Sequence, residues 1–186
     1  MRRSSRHAAL TLASIVLLVG APSCTLADEP DGSADDAFRR QMLVPEEPAL
    51  APDYMFREAN GREWGFAEMR GRLIIATFWA TWCRVCAQEL PKLDRLQADL
   101  RAEGVLVVAL AQDVGADEAG RYLTDRGLAN LRGFEDVDKV LAATLGVRGV
   151  PTSFVIDPTG HVVGMIQGPA AWSSPGARSL LLELAH

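Results

Sequence analysis

The chain has 186 residues, of which 48% are hydrophobic, and its formal net charge is −5. This length accommodates one domain and a leader, and the apolar content supplies a core without a scaffold of disulfides. Because no basic stripe runs through the body of the sequence, nucleic-acid binding has no electrostatic support.

The N-terminal segment has the pattern of a targeting signal. Basic residues at positions 2, 3 and 6 precede an apolar stretch over residues 8–21, which is shorter than the about 20 residues of a membrane-spanning helix. Residues 1–27 are therefore predicted to be a cleaved signal peptide or an N-terminal membrane anchor. Alternatively, the segment ending at Cys24 loosely resembles a bacterial lipobox, which would place a lipid on Cys24. All of these alternatives predict a periplasmic or other extracytoplasmic domain, in some cases tethered to the membrane.

Residues 28–47 are acidic and contain Pro, Gly and Ser, a composition that predicts a flexible linker. We expect the folded domain to occupy residues 48–186. Its first elements are two short strands around Tyr54–Arg57 and Glu63–Gly65, and Asn60-Gly61 between them predicts a hairpin turn.

The rest of the domain alternates between apolar runs and helical patterns. Continuous apolar runs predict strands that are buried on both faces, and a 3.6-residue period predicts helices. In chain order we expect a strand over Leu73–Trp79, a helix over residues 83–101, a strand over Val105–Ala111, helices over residues 115–127 and 138–145, strands over Thr152–Ile156 and His161–Ile166, and a helix from Ser174 to Ala185. This order predicts an α/β fold, in which a central mixed β-sheet is flanked by helices and extended by an N-terminal β-hairpin.

Two cysteines, Cys83 and Cys86, lie where the first buried strand passes into a helix. Such a pair can close a small disulfide ring and open it again. A helix N-terminus stabilises a thiolate through its dipole and free N–H groups, and the thiolate performs thiol–disulfide exchange. The pattern therefore favours redox chemistry over a structural zinc site, which needs four ligands. It also disfavours a static disulfide, because so short a ring removes little loop entropy.

Five segments of the chain resemble the TlpA/ResA/DsbE family of extracytoplasmic thiol-disulfide oxidoreductases in the thioredoxin superfamily, and TlpA most closely. They are Phe78–Cys86 with Pro91 downstream, Gly149–Gly160, Gly168–Trp172, Ala51–Asp53 and Gly71–Ile75. The resemblance extends over about residues 48–185. It implies a thioredoxin fold and a redox-active disulfide between the two cysteines.

Positions at the helix start suggest roles for the site residues. Cys83 is expected to be the attacking thiolate, and Cys86, one turn further in, to resolve the mixed disulfide. The positive charge of Arg84 favours the thiolate, although this side chain could equally be a solvated surface arginine. The resemblance implies that Glu89 exchanges protons with the thiols during the reaction. The alternative for Glu89 is an exposed helix glutamate.

The second family segment supplies the expected substrate-binding residues. The resemblance implies that Pro151 is cis and faces the dithiol, which leaves the backbone of Val150 free to pair with a substrate strand. Trp82 is expected to shield the site and contact substrates. Trp79 is also expected to shield the site, and core packing is the alternative for both tryptophans.

Two positions depart from the family pattern. Thr77 occupies the place of the buried aspartate of thioredoxin itself, which argues against a cytoplasmic type of thioredoxin. Val85 stands where the family usually has proline before the second cysteine. Because this dipeptide tunes the thiolate and the reduction potential, the sequence leaves the reducing strength open.

The predicted function is therefore that of a protein-disulfide reductase outside the cytoplasm, with no cofactor and no bound metal. Family analogy implies clients in cytochrome c or cytochrome oxidase maturation, such as apocytochrome c or copper-site assembly proteins, and a membrane electron donor of the DsbD/CcdA type. A periplasmic thiol oxidant and a Sco-like copper-binding metallochaperone are the alternatives, although the latter uses a C-x-x-x-C motif. A peroxiredoxin does not fit the cysteine pattern. We expect a monomer.

Overall fold

The computed structural model of the protein describes residues 33–186, with side chains from residue 37 onward. The predicted leader over residues 1–27, including Cys24, lies outside this range, and so do residues 28–32 of the predicted linker. Within the described range, no helix combines the length and the apolar character that crossing a membrane requires.

Helices and strands alternate along most of the described chain. The helices are α1 (Ser33–Gln41), α2 (Arg84–Leu100), α3 (Ala116–Asp125), α4 (Val140–Thr144) and α5 (Pro175–Ala185). The strands are β1 (Phe56–Glu58), β2 (Glu63–Trp64), β3 (Leu73–Trp79), β4 (Val105–Ala111), β5 (Arg132–Glu135), β6 (Thr152–Ile156) and β7 (Val162–Gln167). Short 3₁₀ turns cover Phe66–Met69, Arg101–Glu103 and Val137–Lys139.

The strands form one mixed sheet in the order β2-β1-β5-β4-β3-β6-β7. Strands β3, β4 and β5 are parallel, whereas β1, β2, β6 and β7 pair with their neighbours in antiparallel fashion. The predicted mixed sheet flanked by helices is thus confirmed. The hairpin extension is also present, since Phe56 pairs with Trp64 across a turn in which Gly61 has a φ of +80°.

Strand β3 lies inside the sheet, between β4 and β6, and every one of its residues is buried. Its side chains alternate between two apolar clusters, one on each face of the sheet. The cluster under α2 contains Leu73, Ile75 and Trp79 together with Leu90 and Leu93 of that helix. The opposite cluster contains Ile74, Ala76 and Phe78 with Phe56, Phe66 and Phe154. A sheet covered on both faces explains why β3 and β4 are continuous apolar runs in the sequence.

Strand β5 was absent from the sequence-based prediction. It is short and begins with Arg132-Gly133, and neither residue favours a strand. Gly133 is needed because α3 packs against it: a Cβ at this position would lie 2.9 Å from the Ala119 carbonyl carbon and the Gly120 nitrogen. The strand therefore forms through its parallel pairing with β4 and the close approach of α3, and local propensity contributes little.

The predicted linker over residues 28–47 contains helix α1 in its described part, where we expected flexible chain. Phe38 of this helix is completely buried, and its ring packs edge-on against that of Trp172 at a centroid distance of 5.3 Å. Arg39 also forms an ion pair with Glu183 of α5. The composition of this segment does not predict a helix, because the segment is polar apart from the one buried aromatic residue that anchors it. The predicted boundaries of leader, linker and domain stay predictions.

Candidate functional site

The two cysteines lie at the start of α2, immediately after the carboxyl end of β3. Cys83 is the N-cap residue of the helix, and the backbone N–H of Cys86 donates a hydrogen bond to Cys83 Sγ at 3.1 Å. The pair forms a disulfide with a Cα–Cα distance of 5.2 Å. Cys83 is 5% exposed and Cys86 is 1% exposed, so the first cysteine is the more accessible one. The sulfur of Cys83 thus lies at a helix N-terminus, the position that stabilises a thiolate.

The second family segment packs directly beside this disulfide. The peptide bond between Val150 and Pro151 is cis, as expected. The carbonyl oxygen of Val150 lies 3.8 Å from Cys83 Sγ. A shallow cavity of about 300 Å³ adjoins these residues and extends to Gln167 and Gly168. The structure therefore brings Val150 and Pro151 together with Cys83, although they are far apart in the sequence.

The two tryptophans before the first cysteine have different environments. Trp82 is 74% exposed beside Cys83. Trp79 is buried in the core and its ring packs against that of Tyr122 at 4.9 Å. Of the two alternatives for these residues, core packing applies to Trp79, whereas Trp82 is available to an approaching molecule. Arg84 is exposed next to the disulfide.

Glu89 follows Cys86 by one turn of α2 and is buried, which differs from the exposed-glutamate alternative. One of its carboxylate oxygens accepts hydrogen bonds from the Ala170 N–H at 2.8 Å and the Trp172 Nε1–H at 2.6 Å. Burial raises the pKa of Glu89 above its ordinary value, and these two donors and the Lys92 charge oppose that rise. Glu89 is thus a buried carboxylate near the dithiol with a raised pKa, a combination suited to proton exchange.

Thr77 lies on the face of β3 that α2 covers. Its hydroxyl accepts a hydrogen bond from the Ser153 hydroxyl at 3.0 Å, and both side chains are buried. The two residues are directly opposite each other in the register of β3 and β6. A pair of neutral hydroxyls therefore occupies the place of thioredoxin's buried aspartate.

The sequence prediction missed Asp113, which anchors the loop that leads to Cys83. Its carboxylate accepts hydrogen bonds from the Thr81 backbone N–H at 3.0 Å and from the Thr81 hydroxyl at 2.5 Å. Asp113 follows β4, which is parallel to β3, so both loops emerge at the same edge of the sheet. Asp113 could have been identified from the sequence, because it is a polar residue just after a buried parallel strand.

The arrangement can perform reversible thiol–disulfide exchange. It combines a disulfide at a helix N-terminus, an exposed aromatic side chain, a neighbouring carbonyl group and a buried carboxylate one turn away. Among the described residues, no three His, Cys, Asp or Glu side chains come together in a way that could hold a metal ion.

Comparison with known families and curated proteins gives consistent matches. The model of the AhpC/TSA family matches residues 49–165, which is more than half of the chain. The chain is 31% identical over 120 residues to the thiol-disulfide oxidoreductase ResA of Geobacillus thermodenitrificans, a match that covers 64% of this chain and 68% of that protein.

Solved structures with the same fold include the following two. One was assigned as the thiol:disulfide interchange protein DsbE of Chlorobium tepidum. It has a TM-score of 0.67 and 27% identity, over 76% of this chain and 99% of that one. The other is the exposed lipoprotein thioredoxin Etrx1 of Streptococcus pneumoniae, with a TM-score of 0.60 and 25% identity, over 72% of this chain and 100% of that one.

Proposed function

Because the chain belongs to the AhpC/TSA family and is a thiol-disulfide oxidoreductase of the ResA/DsbE type, we propose that it reduces protein disulfides outside the cytoplasm. Cys83 is the attacking residue and Cys86 the resolving one. The observation that carries this assignment is the capping geometry of Cys83, whose sulfur accepts the Cys86 N–H at the start of α2. The same hydrogen bond and the helix dipole stabilise negative charge on Cys83 when the disulfide opens.

The reaction balances as a transfer of two electrons from the dithiol to the client. The Cys83 thiolate attacks one sulfur of the client disulfide, and the other client sulfur leaves as a thiolate. The Cys86 thiolate then attacks Cys83 Sγ, which releases the second client thiolate and forms the Cys83–Cys86 disulfide. The client thiolates take up two protons. A membrane dithiol donor of the DsbD/CcdA type returns two electrons to the protein.

Glu89 serves this cycle as a proton-exchanging group for Cys86, which must lose its proton before it can attack. Its carboxylate is buried on the same helical face as Cys86, because residues three apart are neighbours on a helix. A carboxylate with a raised pKa holds a proton at higher pH than usual and can exchange it with a nearby thiol.

Client binding involves Trp82, Val150 and Pro151. The backbone of Val150 lies beside the attacking sulfur, where an extended client segment can pair with it through main-chain hydrogen bonds. The exposed ring of Trp82, the residue before Cys83, offers apolar surface to the same client. We propose clients from cytochrome c or cytochrome oxidase maturation, with apocytochrome c and copper-site assembly proteins as the candidates.

The proposed location outside the cytoplasm draws on the leader pattern in residues 1–27. The similarity to an exposed lipoprotein thioredoxin supports it. The same similarity makes lipidation of Cys24 a specific alternative to cleavage after Ala27 or retention of the leader as an anchor.

The reduction potential of the full chain tests the direction of electron flow. Equilibration with mixtures of reduced and oxidised dithiothreitol, followed by trapping of free thiols, gives the fraction of Cys83–Cys86 disulfide at each ratio. A potential well below about −200 mV supports a reductase, whereas a value near about −120 mV, typical of strong thiol oxidants, favours the oxidant alternative. Failure of the two cysteines to interconvert would favour the Sco-like copper alternative.

The assignment of attacker and resolver has its own test. A Cys86→Ala variant should accumulate a mixed disulfide between Cys83 and the client, because the resolving thiol is missing. A Cys83→Ala variant should accumulate none. Trapping by the Cys83→Ala variant and not by Cys86→Ala would reverse the assignment.

A further inference from the structure

A second cavity lies at the opposite end of the sheet from the disulfide and is lined by four arginines. Its volume is about 500 Å³, and Arg70, Arg72, Arg101 and Arg132 line it together with Trp64. Arg72 directly precedes β3, whereas Cys83 follows that strand. The two sites are therefore about 20 Å apart, at about 3.3 Å per strand residue.

The cavity exists because strand pairing is incomplete at this end. Strand β5 pairs with β4 only from Val108 onward, which leaves the beginning of β4 without a neighbour on that side. The amide of Gln97 replaces the missing strand, since it donates to the Val105 carbonyl oxygen and accepts from the Val107 N–H. The gap is thus a stable feature with satisfied backbone groups, and its volume is in the range of small-molecule sites.

The arginines are held on loops that are tied to each other. Arg70 and Arg72 flank Gly71, which has a φ of +84°, and Arg101 begins the turn that ends at Gly104. The Leu73 N–H donates to the Gly104 carbonyl oxygen at 3.1 Å, which joins the two loops. These three cavity-lining residues therefore come from two mutually fixed loops. The side chain of Arg70 also packs over Gly160, where an added Cβ would lie 3.1 Å from Arg70 Nε.

Most of this positive charge has no counter-charge. Across residues 37–186, no carboxylate lies within ion-pair distance of Arg70, Arg72 or Arg101. Arg132 forms an ion pair with Glu58. Glu68 also lines the cavity, and its carboxylate accepts the Gly65 N–H at 2.9 Å. Three unpaired arginines around one cavity are notable in a chain whose net charge is −5.

We propose that this cavity binds phosphate groups, carried either by a free phosphoester or by the headgroup of an anionic phospholipid. Several arginines can donate paired hydrogen bonds to the oxygens of one phosphate, whereas one guanidinium group is enough to pair with both oxygens of a carboxylate. Trp64 and Leu106, which are both partly exposed at the same cavity, accommodate the organic part of the ligand. This site is independent of the proposed reductase chemistry.

Titration of the full chain with pyrophosphate, with dihexanoyl-phosphatidylglycerol below its micellar concentration and with a hexaglutamate peptide tests the proposal. Calorimetry gives the affinity. The indole N–H resonance of Trp64, which donates to Glu58 at 3.1 Å, reports binding at this cavity. The indole resonance of Trp82, beside the disulfide, is the internal reference.

A triple Arg70→Gln, Arg72→Gln and Arg101→Gln variant should bind the phosphate probe at least tenfold more weakly. A matched triple variant, Arg121→Gln, Arg126→Gln and Lys139→Gln, removes the same charge outside the cavity and should stay within twofold of the native affinity. The single Arg101→Gln variant provides a second measurement if the first triple variant folds poorly.

The outcomes separate the two phosphate sources. Pyrophosphate binding that shifts Trp64 supports a free phosphoester, and binding of the short-chain lipid alone supports a phospholipid headgroup. The proposal is overturned if neither phosphate probe binds at millimolar concentration, if hexaglutamate binds as tightly as they do, or if both triple variants lose affinity equally.

Discussion

The Trp172 indole N–H donates a hydrogen bond of 2.6 Å to the Glu89 carboxylate. This contact joins α2, one turn after Cys86, to the segment that precedes α5. Phe38 of α1 packs edge-on against the same tryptophan ring. The N-terminal helix thus supports the residue that holds the buried carboxylate, and changes at either aromatic residue are expected to affect the region of the dithiol.

Replacement of Trp172 by Phe should raise the pKa of Glu89 further. The phenyl ring preserves much of the packing against Phe38 but removes a donor that stabilises the charged carboxylate. The midpoint of Glu89 titration, followed by ¹³C NMR of its carboxyl carbon, should move to higher pH. Trp64→Phe is the matched control, since it removes an indole donor remote from Glu89. An unchanged or lower midpoint in Trp172→Phe would contradict the role of this hydrogen bond.

The raised pKa of Glu89 also predicts how its contribution to stability depends on pH. The native state binds a proton more tightly than the unfolded chain, whose carboxyl has its ordinary value of 4.5. The contribution is therefore complete below that value and is lost as pH rises through the pKa of the folded state. Urea unfolding of the native chain and of Glu89→Gln should show that the difference in free energy of unfolding shifts in favour of Gln as the pH rises above 4.5. Glu47→Gln, at an exposed position with no ion pair among the described residues, should show no such trend.

Replacement of Asp113 by Ala should loosen the loop before Cys83. Thr81 loses the acceptor of both its N–H and its hydroxyl, which at this partly exposed site costs about 1 kcal/mol of unfolding free energy. Asp113→Asn retains one acceptor and should have a smaller effect. Urea unfolding gives the stability, and the alkylation rate of the reduced protein reports the accessibility of Cys83. Equal effects in Asp113→Ala and in Asp125→Ala, an exposed control, would count against an anchoring role.

Replacement of Trp82 by Ala should impair exchange with protein disulfides and spare small disulfides. The ring is exposed, so the free energy of unfolding should change by no more than about 0.5 kcal/mol. A binding contribution of about 1.4 kcal/mol corresponds to a tenfold slower reduction of insulin. Reduction of hydroxyethyl disulfide should stay within about twofold, since a small disulfide leaves most of the interface unused. Tyr54→Ala is the matched exposed control, and equal loss on both substrates would assign Trp82 a role in the chemistry itself.

Replacement of Phe38 by Ala should destabilise the protein by about 3–5 kcal/mol, the usual cost of truncating a buried phenylalanine. This side chain is 0% exposed, whereas Leu43 nearby is 55% exposed. Leu43→Ala should therefore change the unfolding free energy by no more than about 0.5 kcal/mol. Urea denaturation measures both variants. A change of less than about 1 kcal/mol in Phe38→Ala would mean that α1 is not part of the cooperative domain and behaves as the linker that the sequence predicts.

The strands at the centre of the sheet were predictable because their sequence pattern is local. Leu73–Trp79 and Val105–Ala111 were predicted with the boundaries that the structure has. The start of α5 was equally clear, since Ser174 caps the helix and Pro175 occupies its first turn. Strand β5 and helix α1 were missed because each depends on partners far away in the sequence.

The sequence by itself determined the redox pair, since two cysteines between a buried strand and an amphipathic helix have few other uses. It also indicated the cis proline, through resemblance to a known family. Only the tertiary structure revealed the partners of Glu89, the anchoring of Thr81 by Asp113 and the gathering of three unpaired arginines at one cavity. These features join segments that lie tens of residues apart, so no local pattern encodes them. They arise when the strands pair and the loops at each end of the sheet are brought together.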